Sequence, residues 1–193
     1  MALDTLTFHS AASALLDCVC AELDELYDPQ ATAPLMGCPC RKMVIAGQAA
    51  ADGCDGGCSR PGTGEFPGQL TVGVQRIYST DRQQFPRELT VARDGRNCGM
   101  PVSLAVQLNV TVFRCAPLPT DGGCPPTPAE LSASALQTHA DMAAVNRGVL
   151  CCFGSDSTRP NGRRYVLGAT TPLGPQGGCV GFSTLVTVDL TSL

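Results

Sequence analysis

The chain has 193 residues, enough to bury a core of its own, and this length favours one domain over two. Its 13 Lys and Arg against 17 Asp and Glu give a net charge of −4, which excludes the broad basic surface that counterion-driven DNA binding requires. Trp is absent, and 21 Gly with 15 Pro point to turn-rich sheet with long loops.

The first residues, Met1 to His9, carry neither a basic start nor an apolar block before a cleavage site. No apolar run approaches the length of a membrane span, so synthesis in a cytoplasm and no membrane association are expected. Ser10 to Tyr27 reads as an amphipathic helix capped by Ser10, with Leu15, Leu16, Val19, Leu23 and Leu26 at helical spacing and Asp28-Pro29 as its stop. Lys42 to Ala46 is a short strand, and Gly47 to Gly68 a long Gly-rich loop. Alternation of apolar and polar residues predicts a strand from Leu70 through Val74 towards Tyr78, and a second over Leu104, Val106, Leu108, Val110 and Val112. Between them, Ser79 to Pro101 reads as a wide excursion at the sheet edge.

Thr127-Pro128-Ala129-Glu130 combines a capping box with proline at the first helical turn, and opens an Ala-rich helix that Gly154 stops. Leu131, Met142, Val145 and Val149 are its larger apolar groups. Arg164 to Thr170 is a further strand, Thr171 to Gly178 a Pro/Gly turn, and Phe182 to Leu190 a final alternating strand. The expected fold is α+β in the order α-β-β-β-α-β-β: a single domain over 1–193 in which two helices pack on one face of a largely antiparallel sheet. Long insertions fall at about 47–68 and 79–101. The opposite sheet face is then solvated or covered by another subunit.

The 12 Cys are unusual for a cytoplasmic product, and a particle assembled in a cell and then released into oxidising surroundings would account for them. Cys18 and Cys20 lie two apart on the first helix and point apart, so they cannot share a partner. Adjacent Cys151 and Cys152 at the end of the second helix are too constrained to pair with each other. A bridge between these two pairs, helix to helix, is geometrically natural. Cys115 and Cys124 flank a proline-rich turn and are candidates to staple it, while Cys98 and Cys179 are left in loops. Cys38, Cys40, Cys54 and Cys58 are disulfide candidates too; as four thiolates on two loops they also form an alternative zinc set, though without the C-x-x-C half typical of zinc ribbons.

Catalytic signatures are lacking. His9 and His139 are the two histidines, neither beside a cysteine in sequence, and a thiol nucleophile needs such a base. The sequence has no redox C-x-x-C, nucleophile elbow, P-loop or dinucleotide fingerprint. Gly53 to Gly57 is glycine-rich but does not join a strand to a helix, and the sequon Asn109-Val-Thr111 falls inside a strand. Asp17, Glu22, Asp24, Glu25 and Asp28 read as the solvated face of the first helix. No catalytic residue and no cofactor is expected.

Several segments resemble the tail terminator proteins, or head-to-tail connector components, of long-tailed phages that infect actinobacteria. They are Leu15-Leu-Asp-Cys-Val-Cys20, Cys38-Pro-Cys40, Phe113-Arg-Cys115-Ala-Pro117, Ala140-Asp-Met-Ala-Ala144 leading to Cys151-Cys152, and Thr171-Pro-Leu-Gly-Pro-Gln-Gly-Gly-Cys179. The resemblance spans most of the chain. It implies a structural protein located in the virion neck and upper tail: a homo-hexameric ring that caps the tail tube and contacts the major tail tube protein and the stopper or adaptor of the neck. Genomic DNA would pass non-specifically through its lumen, where a mildly acidic wall does not trap a polyanion. Another neck component such as the stopper, or a protein-binding module held by zinc or disulfides, is the alternative.

Overall fold

A computed structural model describes residues 6–32, 34–51, 66–81, 83–89, 103–119, 123–153 and 163–190. Seven elements follow one another: α1 (Leu6–Asp24), β1 (Pro39–Ala46), β2 (Phe66–Thr80), β3 (Ser103–Cys115), α2 (Pro128–Phe153), β4 (Tyr165–Gln176) and β5 (Cys179–Asp189). The strands form one sheet in the order β1-β2-β3-β5-β4. β1 runs parallel to β2, and every other pairing is antiparallel. This is the expected α+β class with the expected element order.

Both helices lie on the same face, because the period-2 apolar sets of the central strands all point there. Leu70 and Val72 of β2, Val106, Leu108, Val110 and Val112 of β3, and Phe182, Val186 and Val188 of β5 are almost fully buried. They share a single core with Leu15, Leu16, Val19 and Leu23 of α1 and Val145, Val149 and Phe153 of α2. Gly148 allows the two helices to touch, since a Cβ there would stand 2.9 Å from the Cα of Val19. Ala144, one turn before it, is likewise fully buried.

The opposite face is smaller and more polar, and the chain covers part of it. At one end Ala49 and Ala51 pack on Phe113 and Cys179, and the side-chain amide of Gln69 donates to the Ala50 carbonyl at 3.3 Å. At the other end the Tyr78 hydroxyl donates to the Pro86 carbonyl at 2.8 Å, and that of Thr80 to the Arg87 carbonyl at 2.8 Å. Tyr78 reaches this face because a register shift between Val74 and Arg76 reverses the alternation of β2. Its phenol is pushed above the ordinary value, chiefly by burial. The expectation of a face left wholly to solvent or to another subunit is thus corrected: loops of the same chain lie on both of its ends.

Boundaries shift for identifiable reasons. α1 begins at Leu6, which puts Ser10 inside the helix and not at its cap, and it closes with tight turns in which the Leu26 and Tyr27 amides bond three residues back. The anticipated turn over Thr171 to Gly178 is mostly strand. β4 continues to Gln176, with Pro172 and Pro175 tolerated because it is an edge strand, and the reversal is made by Gly177 and Gly178 alone, at φ 56° and 78°. Much of the anticipated loop 47–68, the Gly154 stop, Cys98, Cys54 and Cys58 lie outside the described residues.

Candidate interaction surface

Thr127 and Glu130 form the capping box read from the sequence. The Thr127 amide and hydroxyl each donate to the Glu130 carboxylate at 2.8 Å, and the Glu130 amide donates to the Thr127 hydroxyl at 3.3 Å. These bonds, the backbone one foremost, hold the Glu130 carboxyl below its ordinary pKa. The helix they start has 26 residues against 19 in α1, an excess of seven residues or about 10 Å. Cys18, six residues before the end of α1, is bonded to Cys152 in the last turn of α2, and Gly148 lies against Val19, so α2 runs past the end of α1 and overhangs at its start. Its buried residues accordingly begin only at Gln137.

The overhang leaves Leu131 and Leu136 52% and 58% exposed, and nearby Leu118 66% exposed. Two apolar clefts flank it. One, of about 430 Å³, lies between the overhang, Pro34–Met36 and Ala116–Pro117; the other, of about 410 Å³, lies between the overhang and the β4–β5 hairpin, against Pro172, Leu173 and Pro175. Glu130 lines the first and His139 the second. Apart from these, and Arg114 and Gln137 in the first cleft, the linings are apolar or small, a composition close to that of the centre of a protein interface.

A buried polar network supports this surface from beneath, and the sequence reading missed it. Arg114 makes a two-pronged ion pair with Asp141, Nε to Oδ2 at 2.8 Å and Nη2 to Oδ1 at 3.0 Å, with both side chains almost wholly buried. Nη2 also donates to the Gly37 carbonyl at 2.7 Å. Gln137 donates to Asp141 at 2.8 Å and to the Met36 carbonyl at 3.2 Å, while its own oxygen accepts from the Met36 amide at 2.7 Å. β3, α2 and the segment ahead of β1 are therefore tied at one point. A signal was present: Arg114 continues the Leu104 to Val112 alternation, so the charge sits on the helix-facing side, and Gln137, Asp141 and Val145 recur on one stripe of α2. Because Arg114 is spent on internal partners, the Glu130 carboxylate is the charged group the first cleft offers, and both clefts otherwise present mainly shape and apolar area.

The expected helix-to-helix bridge is present: Cys18 bonds Cys152, while Cys20 bonds Cys38 just before β1. Two positions on a helix differ by about 200° in direction, which sends the two sulfurs to different neighbours. Cys115 and Cys124 are not bonded to each other, so the proposed staple is absent. Cys40 and Cys179 are disulfide-bonded, the latter as the buried first residue of β5 and not in a loop. With Cys38 and Cys40 oxidised, the four-thiolate zinc set loses two of its donors. His9 and His139 are both exposed. Among the described residues, no helix is long and apolar enough to cross a membrane. The chain matches no protein-family model and no curated protein sequence.

Proposed function

We propose that this chain is a self-assembling structural subunit of a virus particle, a tail terminator whose copies close into a ring on the end of the tail tube. The observation that carries the reading is the overhanging start of α2: a helix end with Leu131 and Leu136 exposed, bordered by two apolar clefts and underlain by a rigid ion pair. A surface that apolar is stable in water when something covers it. The occupant is the next copy of the chain. A ring needs a heterologous contact, and a helix end projecting beyond the sheet beside two grooves suits a head-to-tail contact better than a flat two-fold one. The resemblance to phage terminators supplies the rest: the tail tube protein on one side of the ring, the neck stopper on the other, and DNA through an acidic lumen.

Light scattering after gel filtration, together with negative-stain imaging, tests this. Six-fold rings with a central hole are the expected result, and Leu131→Lys with Leu136→Lys should yield folded monomers. A native chain that stays monomeric at high concentration overturns the ring and leaves a disulfide-stabilised binding module as the reading to pursue.

A further inference from the structure

Two disulfides fasten α1, one to α2 and one to the segment that enters β1, yet their electrostatic surroundings differ. The Lys42 ammonium of β1 lies 3.7 Å from the Cys20 sulfur. On the other sulfur's side, the carboxylate of Asp24 accepts the Cys38 amide at 2.8 Å. A cation thus attends one half of this bond and an anion the other. At the helix-to-helix bond the Cys152 sulfur is 3.4 Å from the oxygen of Ala14, much as the Cys38 sulfur is 3.7 Å from the oxygen of Pro39; Cys152, Cys20 and Cys38 are all buried, at 3%, 7% and 8% exposed, so the ammonium beside Cys20, and not access, is what distinguishes the two bonds. The acceptor oxygen disfavours a thiolate on Cys152, whereas the ammonium favours one on Cys20.

We propose that Cys20–Cys38 is a reducible latch on the cleft beside α2, with Lys42 as the residue that activates its cleavage, whereas Cys18–Cys152 is a permanent clamp. The reductant is a dithiol. One of its thiolates attacks the Cys38 sulfur and forms a mixed disulfide; the Cys20–Cys38 bond breaks, and its electron pair leaves on Cys20 as a thiolate stabilised by the Lys42 ammonium. The second thiol of the reductant, once deprotonated, displaces Cys38, which leaves as a thiolate and takes up a proton. The reductant ends oxidised and the protein carries two thiols. A leaving thiolate of lower pKa departs faster, which is what the ammonium provides.

The consequence reaches the interaction surface through the chain itself. Cys38 directly follows Pro34–Met36, which wall the first cleft, and Gly37, whose carbonyl holds Arg114. With the latch closed, that wall is covalently fixed to α1; with it open, hydrogen bonds remain, from Gln137, from Arg114 and from the Cys38 amide to Asp24. This makes the shape of the cleft dependent on the redox surroundings, whichever partner fills it.

The test uses the folded native chain under a small dithiol such as dithiothreitol, without denaturant, with timed alkylation and peptide mass spectrometry. Cys20 and Cys38 should become alkylated at least roughly tenfold sooner than Cys18 and Cys152. Lys42→Met should slow the first event roughly three- to tenfold and leave the second unchanged, and Lys42→Arg should restore the rate. Amide exchange should rise at 34–38 once the latch opens. Simultaneous loss of both bonds, earlier loss of Cys18–Cys152, or an unchanged rate in Lys42→Met would overturn the proposal. If Lys42→Met does not fold, the order of reduction in the native chain and the rate in Lys42→Arg still decide it.

Discussion

The two halves of α2 obey different rules. From Gln137 to Phe153 the helix is built to be buried: Ala144 and Gly148 let α1 approach, Val145, Val149 and Phe153 fill the core, and a disulfide fixes its last turn. From Pro128 to Leu136 it has no buried residue, and it keeps its helical form through a capping box and strong helix formers. Apolar residues in the first half answer to this chain's own core. Between Pro128 and Leu136, Leu131 and Leu136 stay about half exposed beside the clefts, and this is the feature on which the proposed contact between copies rests.

The largest effect that can separate the halves lies at their junction. Replacing Asp141 by Leu strands the buried Arg114 guanidinium and should cost about 3–5 kcal/mol in urea unfolding. Adding Arg114→Met to Asp141→Leu should recover most of that loss, because the penalty comes from an unpaired charge and not from the missing attraction. If the double variant is no better than the single one, the pair instead contributes through its ties to Gly37 and Gln137.

Next comes the clamp. Cys18→Ser with Cys152→Ser should lower stability by about 2–4 kcal/mol while leaving far-UV circular dichroism unchanged. Close behind, Gly148→Val inserts an isopropyl group whose Cβ alone would stand 2.9 Å from the Cα of Val19, and should cost about 1–3 kcal/mol in the same assay. Both changes act on the packed half. Neither should alter the exposure of Leu131 or Leu136, which hydrogen exchange along α2 would show residue by residue.

What was legible in the sequence follows the same division. Alternation over Leu104 to Val112 and the Thr127–Glu130 box are local signals, and both elements stand where those signals place them. The overhang of α2 was not legible, since it depends on the relative lengths and register of two helices far apart in sequence. Gly177 and Gly178 were visible as turn formers, but the prolines before them masked the strand; only the position of β4 at the sheet edge makes Pro172 and Pro175 harmless. Arg114 was read as the tail of a strand because its partner Asp141 is 27 residues away. The helix-to-helix bridge was legible in the pairs Cys18/Cys20 and Cys151/Cys152, but the partner of Cys20 was not, as the position of Cys38 beside α1 is set by the tertiary fold.

The exposed half should respond in assembly and barely in stability. Leu131→Lys with Leu136→Lys should change the unfolding free energy by no more than about 0.5 kcal/mol per site, since exposed positions away from caps and cores rarely do more. The same variant should lose the ring in negative-stain images. A large drop in stability would instead show that the overhang belongs to the core of the free subunit, and the contrast between the halves would collapse.

The smallest effect is a pH response confined to the overhang. The Glu130 carboxyl is held below its ordinary value by the backbone and hydroxyl bonds from Thr127, so its folded pKa is lower than its unfolded one. A carboxylate of that kind adds stability that is fully present above the unfolded value, near 4.3 for a glutamate, and is lost as pH falls through the depressed folded value. Acid should therefore fray α2 from Pro128 onwards while Gln137 to Phe153 stays protected. Amide exchange at residues 129–133, followed from pH 6 down to pH 3, should accelerate beyond the intrinsic pH dependence in the native chain. In Thr127→Ala, which removes the hydroxyl but leaves the carboxylate, the excess should shrink, because the folded and unfolded pKa values then lie closer together. An identical excess in both would mean that the start of the helix is held by its neighbours and not by its cap, and the overhang would not be the self-supporting projection that a head-to-tail contact requires.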